Sequence, residues 1–138
     1  MRRQNRNLQL KNKYSHDYSK YAIGELFKHS RNVALALLEP LGIAGAFDVL
    51  WAGGDGPLKP APDGVLATLA RLDVAAADAW MIGDGPQDIG AGKAAGCFTV
   101  AVPGIAERAR LLASGPDLVC ESLHDLREQL GRLTARPP

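Results

Sequence analysis

Ala79-Trp-Met-Ile-Gly-Asp-Gly-Pro-Gln-Asp-Ile-Gly-Ala-Gly-Lys-Ala-Ala-Gly96 reads as a buried strand running through a tight turn into a helix. Trp80, Met81 and Ile82 form a short apolar run, and Gly83 to Pro86 punctuate it. Ile89, Ala91 and Ala94-Ala95 then suit a small-residue helix packed close to a sheet. Asp84 falls at the strand's C-terminal end and Asp88 in the first helical turn. In open α/β sheets ligands bind at that edge. Two carboxylates there suit a hard cation such as Mg²⁺, which takes one or two carboxylates, keeps several waters and shares a substrate phosphate. The same residues also suit plain helix initiation, with Pro86 at the first turn and Asp88 complementing the helix dipole.

Outward from this stretch, helices and strands alternate. Val33–Leu41 is expected to be a helix with Gly42 just past its end, and 47–53 a strand followed by a Gly/Pro-rich loop to Pro62. Asp63–Leu72 is a second helix. Beyond the central unit come strand Phe98–Val102, helix Ala106–Ala113, strand Asp117–Cys120 and the amphipathic helix Leu123–Leu133. Strands separated by helices of this length imply parallel βαβ units, hence an α/β fold with a doubly wound parallel sheet.

Composition divides the chain. Among 138 residues, 46% are hydrophobic and 22% charged, as in an ordinary globular domain. The first 31 residues nevertheless hold eight Lys/Arg against two acidic residues, and the remainder hold eight against thirteen. All three Tyr and all four Asn lie within the first 32 residues. Residues 1–29 therefore read as a basic arm, largely disordered because it lacks the apolar surface to offset its ordering entropy, and 30–138 as the α/β body. No zinc spacing, recognition helix or aromatic platform accompanies the basic charge, so no nucleic-acid partner is expected. No apolar core segment follows Arg2-Arg3 and no run approaches membrane-span length, which points to a cytoplasmic protein without a membrane partner. Cys97 and Cys120 sit in expected strands rather than in a CxxC pair, as small buried hydrophobes. His16, His29 and His124 have no metal-like spacing.

The second informative stretch is Gly53-Gly-Asp-Gly-Pro-Leu-Lys-Pro-Ala-Pro-Asp63. Lys59, held between prolines after one strand end and before a helix, can place its ammonium in the crevice of Asp84 and Asp88. Lys is a compact point charge suited to phosphate.

Together these residues resemble the haloacid dehalogenase-like (HAD) hydrolases, particularly their phosphoglycolate-phosphatase-like branch. Leu58-Lys-Pro-Ala-Pro-Asp63 is similar to the third motif of that family and Ile82–Gly96 to its fourth, and the resemblance extends over about residues 30–133. It implies a small phosphorylated substrate, Mg²⁺ held by Asp84 and Asp88, Lys59 stabilising the phosphoryl group, and Gly83 and Gly85 turning the backbone beside the metal. Departures accompany the matches. The family's Asp-x-Asp nucleophile motif is absent, since no two Asp residues lie two apart in the chain. At the family's second motif, Phe27 stands where a Thr or Ser is expected; Ser30 is a substitute, and Lys28 and His29 are not.

The resemblance thus implies a truncated core without the nucleophile strand and the cap domain. The strands at Phe47 and Trp80 then pair directly, accept a substitute such as Tyr21–Phe27, or leave edges exposed. Three readings follow: a HAD-like hydrolase domain that is catalytically incomplete, a half-enzyme completed by another chain or by a homo-oligomer through an exposed sheet edge, and a non-catalytic module that binds a phosphate or a partner.

Overall fold

The computed structural model describes residues 24–134. The order of elements is β1 (Gly24–Ser30), α1 (Arg31–Leu38), β2 (Val49–Gly53), α2 (Asp63–Leu72), β3 (Trp80–Gly83), α3 (Pro86–Ala95), β4 (Phe98–Ala101), α4 (Arg108–Ala113), β5 (Leu118–Val119) and α5 (Leu123–Thr134). The alternation is the expected one, and every strand pair is parallel. The helix bounds Asp63–Leu72 coincide with those read from the sequence. Elsewhere the elements begin or end one to three residues away from the expected bounds, because end residues obey local hydrogen bonding rather than periodicity. The first helix, for example, stops at Leu38. The chain then turns through Gly42, at φ 68°, with Gly42 N–H donating to Glu39 O and Ile43 N–H to Leu38 O.

Gly24–His29 correct the expected boundary at residue 29/30. They belong to β1, which lies alongside β2 with Glu25 opposite Leu50 and Leu26 opposite Trp51. The charge and composition that set the arm apart do not oppose strand formation by Gly-Glu-Leu-Phe once β2 offers an edge. The rest of the expected arm, residues 1–23, lies outside the described residues.

The strands form two groups rather than one sheet: β1–β2, and β3–β4–β5 with β4 in the middle. Of the three outcomes open for the strands at Phe47 and Trp80, direct pairing is excluded. The substitute segment is a strand from Gly24 onward, yet it pairs with β2 and leaves β3 unpaired on its other side among the described residues.

Packing joins the two groups across one face. Val65 and Leu69 of α2, Met81 of β3, Ala91 of α3 and Cys97 form one buried cluster, against which Leu26 of β1 packs. On the opposite face Val100, Val102 and Cys120 are covered by Trp80, Leu118 and Leu126, the last from α5. Trp80 and Phe98, opposite each other in the β3–β4 ladder, have ring centroids 5.2 Å apart. α4 adds Leu111 over Ile89 and Ala101. Helices on both faces of parallel strands make this the doubly wound α/β architecture read from the sequence. Thr99 is the buried polar residue of β4, and Asp117 satisfies it: Thr99 N–H and Oγ1 each donate to Asp117 Oδ2 at 2.8 Å. These bonds pin β5 to β4 and hold the Asp117 carboxyl below the usual carboxylate range.

The small residues of α3 are a steric requirement. A Cβ at Gly92 would stand 2.6 Å from Met81 Cβ and 2.8 Å from Thr99 Cγ2. Gly92→Ala is therefore expected to lower stability by about 1–2 kcal/mol, the overpacking outweighing the better helix propensity of Ala. Urea denaturation checks this, and an unchanged or higher midpoint would show that α3 does not approach β3 and β4 so closely.

Candidate active site

β3 is a short strand that delivers Asp84 to the sheet's C-terminal edge, and the chain turns into α3 within three residues. Glycine is required on both sides of this turn. Side chains at Gly83 and Gly104 would overlap the carboxyl-bearing side chains of Asp88 and Asp84 respectively. The 102–105 loop, at the end of the neighbouring strand β4, closes over Asp84, and Ile105 N–H makes a long contact of 3.4 Å with Asp84 Oδ2.

Asp88 serves as both helix cap and charge partner. It is 4% exposed. Its Oδ2 accepts a 3.0 Å hydrogen bond from Gly85 N–H, which is the capping arrangement read as the simpler alternative for this residue. Its Oδ1 lies 2.6 Å from Lys59 Nζ, an ion pair without hydrogen-bond alignment. Lys59 Nζ also donates to Leu26 O at 3.3 Å, so one ammonium stands between β1 and the β3–α3 turn. A carboxylate this deeply buried is tolerable only with such a partner, and removing one member of a buried pair commonly costs 3–5 kcal/mol.

The loop carrying Lys59 is held by residues that sequence reasoning passed over. Arg31 Nη2 donates to Leu50 O at 2.9 Å and to Asp55 Oδ2 at 2.8 Å, and Asp55 Oδ2 also accepts from Ala52 N–H at 2.9 Å. The backbone bond, then Arg31, keeps the Asp55 carboxyl below its usual range. The long separation of Arg31 from Asp55 hides this clamp from sequence inspection. Glu25 was visible as a lone acid in an otherwise apolar run. Burial raises its pKa, and it senses the charges of both Lys59 and Asp88. Gly104 was legible in principle, as a glycine just past the neighbouring strand end.

The structure therefore brings Lys59 and Asp88 into contact, with Asp84 on the same turn. Ser30 ends β1 opposite Gly53, is exposed, and makes no capping bond to α1. Among the described residues no three His, Cys, Asp or Glu side chains converge as a metal cage. No helix among them is long and apolar enough to cross a membrane.

Residues 18–102 match the model of the haloacid dehalogenase-like hydrolases. The chain belongs to that family. It is 38% identical over 97 residues to the phosphoglycolate phosphatase of Escherichia coli (strain K12), and 37% identical over the same length to that of Salmonella paratyphi A. The match covers 69% of this chain and 38% of each relative, so the chain spans less than half the length of these curated relatives. A HAD-superfamily hydrolase from Ehrlichia chaffeensis superposes with a TM-score of 0.72 at 20% identity, covering 94% of this chain and 56% of the other. A haloacid dehalogenase-like family protein from Streptococcus pneumoniae gives 0.71 at 23%, covering 81% and 53%. At these identities the superpositions speak for the fold.

Glu25 gives this HAD-like site a pH signature. Its folded pKa is raised, so its contribution to stability is fully present below the unfolded value of about 4.3 and is lost as the pH rises through the folded value. Glu25→Gln is expected to be more stable than the parent at pH 7 and indistinguishable from it near pH 4. Melting temperatures across that range test this, and a parent more stable at pH 7 would mean that Glu25 is a net ion-pair partner of Lys59.

Proposed function

We propose that Lys59 and the β3–α3 turn form the phosphate-handling part of a HAD-type site for phosphate monoester hydrolysis, and that residues 1–138 alone do not complete the reaction. The carrying observation is the Lys59 ammonium, which is 2.6 Å from Asp88, the acid on the same turn as Asp84. Phosphatase names among the relatives support the substrate class, a small phosphorylated molecule.

The donors fit a divalent cation in kind. Asp84 Oδ2 has a single long backbone contact, and Asp88 Oδ1 is met by an ammonium rather than by an aligned hydrogen bond. Asp84 and Asp88 would hold Mg²⁺, which when bound neutralises charge on a phosphoryl group. The chain's own residues do the rest. Lys59 can turn its ammonium from the Leu26 carbonyl to a phosphate oxygen, Gly83 and Gly85 let the backbone approach it, and Ser30 offers a hydroxyl at the end of β1. Absent is a nucleophile: the family resemblance requires an Asp-x-Asp carboxylate that takes the phosphoryl group covalently, and the chain has no such pair. This reading places the protein in the cytoplasm, where the buried Cys97 and Cys120 stay free thiols.

Two outcomes are expected. With Mg²⁺, the chain should hydrolyse a generic aryl phosphate at no more than background rate, because losing the key group of a catalytic unit removes most of its rate enhancement. Robust turnover that disappears in both Lys59→Ala and Asp84→Asn would overturn the claim of incompleteness. Separately, Mg²⁺ should bind weakly, with amide shifts confined to 83–88 and 104–105, and the shifts should vanish when Asp84→Asn is combined with Asp88→Asn. Binding that survives the double substitution would place the metal elsewhere.

A further inference from the structure

A cavity of about 210 Å³ lies between the C-terminal ends of β4 and β5 and helix α4, and every residue that lines it is among the described ones. Val102, Leu111, Leu112, Val119 and Cys120 give it an apolar interior. Burial, and then the nearby Asp125 and Glu121, raise the Cys120 thiol above its usual range, so the interior is uncharged as well. The charged residues of the lining are Arg108 and Glu121, which meet through two bonds of 2.8 Å, Nη1 to Oε2 and Nη2 to Oε1. Their side chains are 59% and 67% exposed, so water screens the pair and opening it costs little. The backbone beneath is fixed, by contrast: Glu121 N–H donates to Asp125 Oδ2 and Asp125 N–H to Ser122 Oγ, both at 3.0 Å. The solvent side of the cavity thus offers one guanidinium fork and one carboxylate over an apolar interior.

We propose that this cavity binds a small branched-chain α-amino acid, whose carboxylate takes the Arg108 fork, whose ammonium takes the Glu121 carboxylate, and whose aliphatic side chain fills the apolar interior. The guanidinium already pairs in bidentate fashion with a carboxylate, so exchanging Glu121 for the ligand keeps that geometry. A zwitterion replaces both partners of the open pair at once. A plain carboxylic acid would set two carboxylates against one guanidinium, and a plain amine would leave the guanidinium unpaired beside a second cation. Size and polarity fix the rest. A cavity of about 150 Å³ lined by apolar side chains holds benzene, so this one admits a branched aliphatic chain. The interior side chains carry no oxygen or nitrogen, so a polar ligand side chain would lose its water without replacement. The inference does not rest on the phosphate reading, but the two sites share a wall. Gly104 lines the cavity, and a side chain there would overlap Asp84. Occupancy is therefore felt at the contact between Ile105 N–H and Asp84 Oδ2.

The test titrates the full chain with L-leucine and follows the backbone amides by NMR. Saturable shifts at millimolar ligand are expected, centred on residues 101–112 and 118–121 and including Ile105. Isocaproate lacks the ammonium of leucine, isoamylamine its carboxylate and glycine its side chain; each should bind about tenfold more weakly or worse. Arg108→Gln and Glu121→Gln, both at exposed side chains, should each weaken leucine binding by a similar factor while circular dichroism stays that of the parent. If a substitution disturbs the fold, the series of four ligands on the parent chain decides alone. Three results would overturn the proposal. The first is no saturable shift with leucine, or shifts confined to residues outside the cavity. The second is isocaproate, isoamylamine or glycine binding as tightly as leucine, which would reduce the site to a single charge, an apolar hollow or the charged pair alone. The third is leucine binding unchanged in folded Arg108→Gln or Glu121→Gln.

Discussion

The Lys59–Asp88 pair is the contact on which the arrangement of the two halves depends. Asp88, in the first turn of α3, reaches back to accept from the Gly85 N–H, and its carboxylate is buried there. A buried carboxylate needs a cation, and Lys59 supplies it from a loop that belongs to the other group of strands. The same ammonium satisfies a backbone carbonyl of β1. One side chain thereby links β1, the loop after β2 and the β3–α3 turn, where no backbone hydrogen bond among the described residues does so.

That linkage explains why the HAD-like site keeps its form while the sheet is divided. On the charged edge, Arg31 and Asp55 brace the loop that presents Lys59, and Gly104 lets the neighbouring loop close over Asp84. On the apolar side, α2 and α3 share a cluster that includes Met81 and Leu26. Among the described residues the opposite face shows no equivalent bridge: α5 covers Val100, Val102 and Cys120, and Ile82 is 37% exposed. Among the described residues, the two groups of strands are thus joined by one apolar seam and the Lys59–Asp88 pair.

The two roles of Asp88 are compatible and consecutive. As a cap it orients the first turn of α3, and by being oriented it offers one oxygen to the crevice. The geometry that satisfies the helix thereby places a carboxylate at the C-terminal edge of the sheet, where the proposed metal reading uses it. Lys59 is likewise held in place, against a carbonyl and a carboxylate, and contact with a phosphate is the role proposed for it.

The sequence by itself determined the alternation of elements, the parallel α/β class and the identity of the central turn, because apolar periodicity and Gly/Pro punctuation are local signals. It also singled out Lys59, Asp84 and Asp88, and the structure puts Lys59 against Asp88 with Asp84 on the same turn, since sheet topology places successive strand ends side by side. Only the tertiary structure decided that Gly24–Ser30 belong to the sheet, since a strand exists through its partner, and β2 lies some 25 residues away in sequence. It alone decided that the strands divide into two groups, that Arg31 clamps Asp55, and that Glu25 lies in the field of Lys59 and Asp88. Each of these joins residues distant in the chain, and burial and Coulombic contact at such separations have no local pattern to read.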